Sequence, residues 1–307
     1  MYTHLNLAYP EKSDIAFKVN QFPDGQQSLD IIDVEKINSS TVKIYTRIKS
    51  FRDIELLICA NQILRDNGVK FVVLYVPYFL GARSDRKFKK GGINYIKHVI
   101  APIINSQKFD VVLTLDPHSD VLEACLDNFE KISNSIVVKS ALKVIGKENV
   151  ILVSPDGGAL KKIYDIAEEF DIPNIVTAMK HRDIKTGKIT HTEVPLSEAR
   201  YYKDSKFVIV DDICDGGRTF IELAKAIREK VADAKIYLVV THGLFTSGFA
   251  ELNKYFEQVY TTNSYGDIKV TETNEDGNSG YATETWSGFA QSGSIARTFL
   301  VTQLNVF

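Results

Sequence analysis

The chain has 307 residues, more than one hydrophobic core usually organises, which predicts two folded domains of about 150 residues each. Its 44% hydrophobic and 25% charged residues are those of an ordinary globular protein, with no excess of Gly, Pro or Ser to suggest disorder. The 37 basic and 39 acidic residues are interspersed to a net charge of −2, which excludes a global field for nucleic acid or an anionic membrane and favours a small-molecule partner.

The longest apolar run, 71–82, is broken by Pro77 and is far shorter than the roughly 20 residues of a membrane helix. Glu11, Lys12 and Asp14 interrupt any leader early. Three widely spaced cysteines, Cys59, Cys125 and Cys214, argue against a disulfide framework and against a cysteine metal site, and predict a reducing, cytoplasmic setting.

In chain order, short β-branched runs predict strands at 42–45, 71–76, 111–115, 150–153, 175–178, 207–210 and 236–240. Between them, Ile54, Leu57, Ile58 and Leu64 mark one amphipathic helix, and Phe220, Leu223, Ala224, Ile227 and Val231 mark another. This alternation predicts α/β architecture with mostly parallel sheets. Counting βα units puts a domain boundary near residue 140, giving domains 1–140 and 141–307. Segments 111–126 and 207–224 both read as apolar strand, acidic turn and helix, which suggests duplication. Residues 271–294 are rich in Asn, Gly, Ser and Thr and carry no legible chemistry.

The richest segment is 208–220, VIVDDICDGGRTF, read as a buried strand ending in paired carboxylates, then a glycine turn and a helix opening at Thr219. Such a turn offers backbone N–H groups and a helix N-terminus to a phosphate, while Asp211 and Asp212 suit vicinal sugar hydroxyls. An Asp-rich cap on an ordinary βα turn has the same local pattern. Segment 77–87, PYFLGARSDRK, is a basic loop shaped by Pro77 and Gly81; its plain reading is a solvated charge run. His118 lies just past a strand end, where an imidazole serves either a magnesium–phosphate site or simple capping. Asp156 follows another strand, ahead of a glycine-opened helix. Segment 22–27, FPDGQQ, is an ordinary Pro-Asp-Gly turn by itself. Lys180 and Arg182 follow a strand on alternate residues, as exposed hairpin cations also would.

Together these segments resemble the ribose-phosphate pyrophosphokinases, or PRPP synthetases, and 208–220 also resembles the PRPP-binding loop of type I phosphoribosyltransferases. THGLFTSGFAEL at 241–252 and Thr262–Asn263 resemble the C-terminal half of the synthetases. The resemblance implies two phosphoribosyltransferase-like domains, each a mostly parallel sheet flanked by helices. It implies transfer of the β,γ-diphosphate of ATP to the anomeric hydroxyl of ribose 5-phosphate, with AMP released. ATP would be held by Arg83, Ser84, Asp85, Arg86 and His118, with Phe22, Asp24 and Gln26 contacting the adenine of a neighbouring subunit in a homo-oligomer, dimer or hexamer. The ribose phosphate would take Asp211, Asp212, Asp215, Gly216, Gly217, Arg218 and Thr219. Lys180 and Arg182 would neutralise the transferred group, and His118 and Asp156 would hold magnesium, which needs only one or two protein ligands.

The chain departs from the family pattern at Gln26, where the family has Glu, and at Pro117, where it has Leu. FKKGGIN at 88–94 replaces an Arg-containing stretch, so that Lys89 and Lys90 are expected to take over phosphate contacts. The family loop Asp-Asp-x-x-Asp-Thr-x-Gly-Thr carries Gly216 in place of its first Thr and Arg218 in place of its Gly. Extra room and a guanidinium suit a diphosphate, which points to ADP-ribose as an alternative acceptor, as in NAD salvage. The rival activities are a phosphoribosyltransferase, which would lack the 83–87 loop and Lys180, and a non-catalytic regulatory subunit.

Overall fold

The computed structural model describes residues 3–38, 41–182, 189–268, 282–286 and 300–307. The chain divides into two compact units, 1–133 with Phe307, and 134–306. Residue 140 therefore falls inside a helix of the second unit, Ser135–Ile145, whose buried Val137, Val138, Ala141, Leu142 and Ile145 pack into that unit's core. None of the described helices is long and apolar enough to cross a membrane.

The first unit opens with β1 (Thr3–Asn6) and a hairpin of β2 (Phe17–Gln21) and β3 (Gln27–Ile31), followed by β4 (Thr41–Tyr45), α1 (Phe51–Asp66), β5 (Phe71–Tyr75), α2 (Ala101–Ser106), β6 (Val111–Leu115), α3 (Val121–Cys125) and β7 (Phe129–Ile132). The five-stranded sheet β1-β4-β5-β6-β7 is parallel throughout. One face of its centre is apolar and covered: Val42 and Ile44 of β4 lie opposite Val72 and Leu74 of β5, all four buried, with Leu57, Ala60 and Leu64 of α1 in the same core. A reciprocal capping box between Ser50 and Asp53 starts α1. One turn of π-helix, Ile96–Ile100, leads into α2.

The second unit runs α4 (Ser135–Ile145), β8 (Val150–Ser154), α5 (Leu160–Phe170), β9 (Ile175–Thr177), the hairpin β10 (Met179–Arg182) and β11 (Ile189–Glu193), β12 (Lys206–Cys214), α6 (Arg218–Lys230), β13 (Lys235–Gly243), β14 (Gln258–Thr262), β15 (Ala282–Trp286) and β16 (Leu300–Leu304). Its main sheet has the order β15-β16-β14-β13-β12-β8-β9, again parallel. Alternation along β12 sends Phe207 and Ile209 into the core that holds Leu223, Ala224 and Ile227 of α6. Val208 and Val210 enter the opposite core, with α4 and α5. From β8 the chain moves to β9 on one side and returns to β12 on the other. The strand order thus reverses between β8 and β12, and in open α/β sheets the crevice beyond the strand ends at such a point is where ligands bind.

Most residues of 269–299, including most of the Asn- and Ser-rich stretch, lie outside the described residues. What is described after it, β16, pairs with β14 from Val301 opposite Val259 to Leu304 opposite Thr262.

Candidate active site

The β12–α6 connection stands at the switch point. β12 does not stop at the paired aspartates but continues to Cys214, because β13 keeps pairing with it at Ile213 opposite His242 and Cys214 opposite Gly243. The turn is therefore only Asp215–Gly217, and α6 opens at Arg218, one residue before Thr219. Gly217 caps the helix in the left-handed region, φ 79°, where a Cβ would also lie 3.0 Å from Leu252. Asp212 is buried and its amide donates to Asp211 Oδ1 at 3.0 Å. Burial pushes the Asp211 carboxyl well above its ordinary pKa, and the charge of Asp212 pushes in the same direction. Arg218 stands exposed at the first helical residue. The room expected at Gly216 is taken: Ser247 Oγ is 2.9 Å from where a Cβ at 216 would sit.

Asp156 follows β8, next to β12 in the sheet, and its charge is among those that raise Asp211. Its Oδ1 accepts from the amides of Gly158 at 3.0 Å and Ala159 at 3.3 Å, and its Oδ2 accepts from Lys180 Nζ at 2.7 Å. Burial alone would raise the Asp156 carboxyl; the Lys180 hydrogen bond and charge, with the two amides, outweigh it and hold the group below its usual range. Lys180 reaches this position from β10, where it is opposite Thr192. Arg182 lies on the same strand opposite Ile189, and its side chain lies outside the described residues.

In the first unit, the segments after β5 and β6 meet because their strands are neighbours. Arg86 donates from Nε and one terminal nitrogen to the buried Asp85 carboxylate at 2.9 and 3.1 Å. That hydrogen bond holds Asp85 low against its burial, and Ser119 and His118 act in the same direction, which brings the 77–87 loop and His118 together. The turn is built on Gly81, φ +77°, against whose open face the Tyr95 ring packs, while Ser84 O accepts from the Tyr95 amide at 3.0 Å. Arg83, Arg86, His118, Lys89 and Lys90 are exposed, as ligand contacts need to be, and Ser84 is half-buried.

The β2–β3 hairpin presents Phe22 at 51% exposure on its tip. Asp24 Oδ1 accepts from the Gln26 amide at 3.2 Å, and Gly25, φ +97°, completes the turn. Gln26 in the same turn is exposed as well.

Magnesium can be served by one or two protein ligands with phosphate and water completing its shell. Asp156 fits such a partial role, being an ionised, half-exposed carboxylate at a strand end, and among the described residues no cluster of three or more His, Cys, Asp or Glu offers a complete cage. Sequence reasoning assigned no role to Thr246 and Ser247, although both fall in a segment it singled out. Thr246 Oγ1 donates to Asp215 Oδ1 at 2.6 Å.

The Phosphoribosyl transferase domain family matches residues 122–260, which include the switch point and every second-unit site residue named above. A ribose-phosphate pyrophosphokinase of Pyrococcus furiosus is 28% identical over 265 residues, 85% of this chain and 90% of that protein. Another, from Methanopyrus kandleri, is 26% identical over 258 residues, 80% and 82% of the two chains. The crystal structure of phosphoribosylpyrophosphate synthetase from Mycobacterium smegmatis has the same fold, with a TM-score of 0.68 at 17% identity, covering 97% of this chain and 88% of that one. The chain is thus similar over most of its length to ribose-phosphate pyrophosphokinases, and it shares its fold with the solved phosphoribosylpyrophosphate synthetase.

Proposed function

We propose that this chain transfers the β,γ-diphosphate of ATP to the anomeric hydroxyl of ribose 5-phosphate, releasing AMP. The observation that carries the reading is the convergence at one switch point of the carboxylates Asp211 and Asp212, the Asp215–Gly217 turn with its helix N-terminus, and the Asp156–Lys180 pair. Asp211 and Asp212 accept from the vicinal ribose hydroxyls, and the amides at the start of α6 receive the 5-phosphate. Arg83, Arg86 and His118 bind the ATP phosphates. Phe22, Asp24 and Gln26 serve the adenine of a neighbouring subunit, so the working enzyme is a homo-oligomer in the cytoplasm. Lys180, with Arg182, neutralises the charge that moves from the transferred group to AMP; phosphoryl transfer of this kind rests on positioning and electrostatics and needs no covalent intermediate. Asp156 in the second unit and His118 in the first are each a residue that would hold magnesium, and the ion would supply neutralisation of phosphate charge.

A second acceptor, ADP-ribose, is favoured by one observation. Arg218 adds a cation at the N-terminal end of α6, where the helix dipole already opposes it by about 0.3–1 kcal/mol, and a second phosphate would offset that cost. The test is AMP release from ATP and magnesium with ribose 5-phosphate and with ADP-ribose in parallel, products resolved by mass. Preference for ribose 5-phosphate supports the first reading, and preference for ADP-ribose the second. AMP with neither acceptor, or full turnover in excess chelator, would overturn the diphosphokinase assignment.

A further inference from the structure

Gly216 and Gly217 are adjacent glycines with different reasons to be glycine. Gly217 is in the left-handed region, whereas no such conformation holds Gly216, so its backbone would accept an L side chain. What excludes a side chain at 216 is space, and the atom nearest to its missing Cβ is a hydroxyl, Ser247 Oγ at 2.9 Å, with Thr246 Oγ1 next at 3.8 Å. Ser247 is brought there by a firmly tied loop. The amides of Leu244 and Phe245 donate to Cys214 O at 2.8 and 3.2 Å, and the Thr246 amide donates to Asp215 O at 3.1 Å. Thr246 Oγ1 adds its 2.6 Å bond to the Asp215 carboxylate. Phe245, φ 46°, lays its ring over Gly243 and packs against Phe249 in a tilted pair with centroids 4.4 Å apart. Thr246 and Ser247 are both exposed residues.

We infer that Ser247 supplies, from the β13 loop, the phosphate-binding hydroxyl that the β12–α6 turn lacks at Gly216, and that Thr246 is the positioning residue that aims Asp215. The ligand is a phosphate monoester or the terminal phosphate of a larger ester; the inference rests on the reading of this turn as the ribose-phosphate site. A hydroxyl from either side of the gap serves the same oxygen, so positions 216 and 247 are interchangeable as its source. A threonine at 216 would push Ser247 about its Cα–Cβ bond and take over its bond to the ligand.

The experiment is calorimetric titration of the full chain with ribose 5-phosphate and, separately, with inorganic phosphate, for wild type, Ser247→Ala, Gly216→Thr and the double variant. Loss of one hydrogen bond to a charged group predicts about tenfold weaker binding in Ser247→Ala, with KM rising and kcat nearly unchanged. Gly216→Thr should bind within about threefold of wild type, and Gly216→Thr in the Ser247→Ala background should recover most of the loss, a non-additivity that a merely structural serine would not produce. Thermal unfolding of Ser247→Ala should match wild type, as befits an exposed residue. Unchanged phosphate binding in Ser247→Ala, or a double variant as weak as Ser247→Ala, overturns the inference while leaving the diphosphokinase reading intact. Weakened inorganic phosphate binding in Ser247→Ala, in a protein that releases no AMP with any acceptor, supports the inference and removes the diphosphokinase reading. Absence of phosphate binding in wild type overturns both.

Discussion

Lys180 Nζ stands 2.7 Å from Asp156 Oδ2, so one ion pair joins the β10–β11 hairpin to the C-terminal end of β8. The Lys180 side chain is 14% exposed and that of Asp156 is 46% exposed, so the pair opens toward solvent on its acidic side. Replacing Lys180 with Ala removes the cation proposed to meet the transferred charge. The expected result is a fall of about 10²–10³ in the rate of AMP release, the size typical of losing one preorganised donor to a transition state. Full rate in Lys180→Ala would sink its catalytic assignment. The pair also has a pH signature. A carboxyl held low in the folded state contributes stability above its unfolded pKa, near 3.9, and loses that contribution as pH falls through the lower folded value. The stability gap between wild type and Lys180→Ala should persist from about pH 5 to 8 and narrow below about pH 4 in denaturant titrations.

Asp211 has the opposite sign. Burial first, and then Asp212, raise its carboxyl, so the folded state resists its ionisation. Its relative contribution to stability is fully present below the unfolded pKa and is lost as pH rises through the raised folded value. Asp211→Asn should therefore raise the Tm at pH 7 and be neutral below about pH 4, while AMP release falls at least about tenfold through loss of a sugar hydroxyl acceptor. A variant less stable than wild type at pH 7 would contradict the strained-carboxylate account.

Gly217 and Gly157 make a matched pair. Gly217 sits at φ 79° with Leu252 3.0 Å from any Cβ, whereas Gly157 has nothing within 4 Å and no left-handed φ. Gly217→Ala should cost about 1–3 kcal/mol and Gly157→Ala should be within about 0.5 kcal/mol of wild type, read from urea midpoints. Equal midpoints would mean that the turn does not hold its left-handed residue in solution.

Arg86 tests the first unit. It donates two hydrogen bonds to Asp85, whose side chain is 2% exposed, while its own is 66% exposed. Arg86→Ala should raise the KM for ATP about tenfold or more and leave the KM for the acceptor unchanged. Arg86→Lys should fall between, since a lysine cannot reproduce the two-point contact. A change confined to the acceptor KM would remove Arg86 from the ATP site.

The strands at 111–115 and the cores of 71–76 and 150–153 were legible because parallel strands covered on both faces are written as unbroken β-branched runs. β1, with sequence THLN, and β7, with FEKI, carry no such run; they are edge strands that form because β4 and β6 offer them a backbone ladder. β14, QVYTT, is likewise half polar, and its Thr262 is buried by donating to Thr241 O at 2.7 Å, a partner distant in sequence. The end of β12 was misread for the same reason: two aspartates look like a turn until β13 pairs beyond them.

Amino-acid type alone determined the covered strands, the amphipathic faces of α1 and α6, the glycine turn after β12 and the kinds of group present, since these depend on hydropathy period and backbone sterics within a few residues. The tertiary structure decided the rest. It brought Lys180 to Asp156, Thr246 to Asp215 and Ser247 to the gap at Gly216, contacts spanning 24 and 31 residues in the first two cases. Such pairings follow from strand order and from where parallel strands end, and a strand's position in a sheet is set by the backbone partners it finds across the fold.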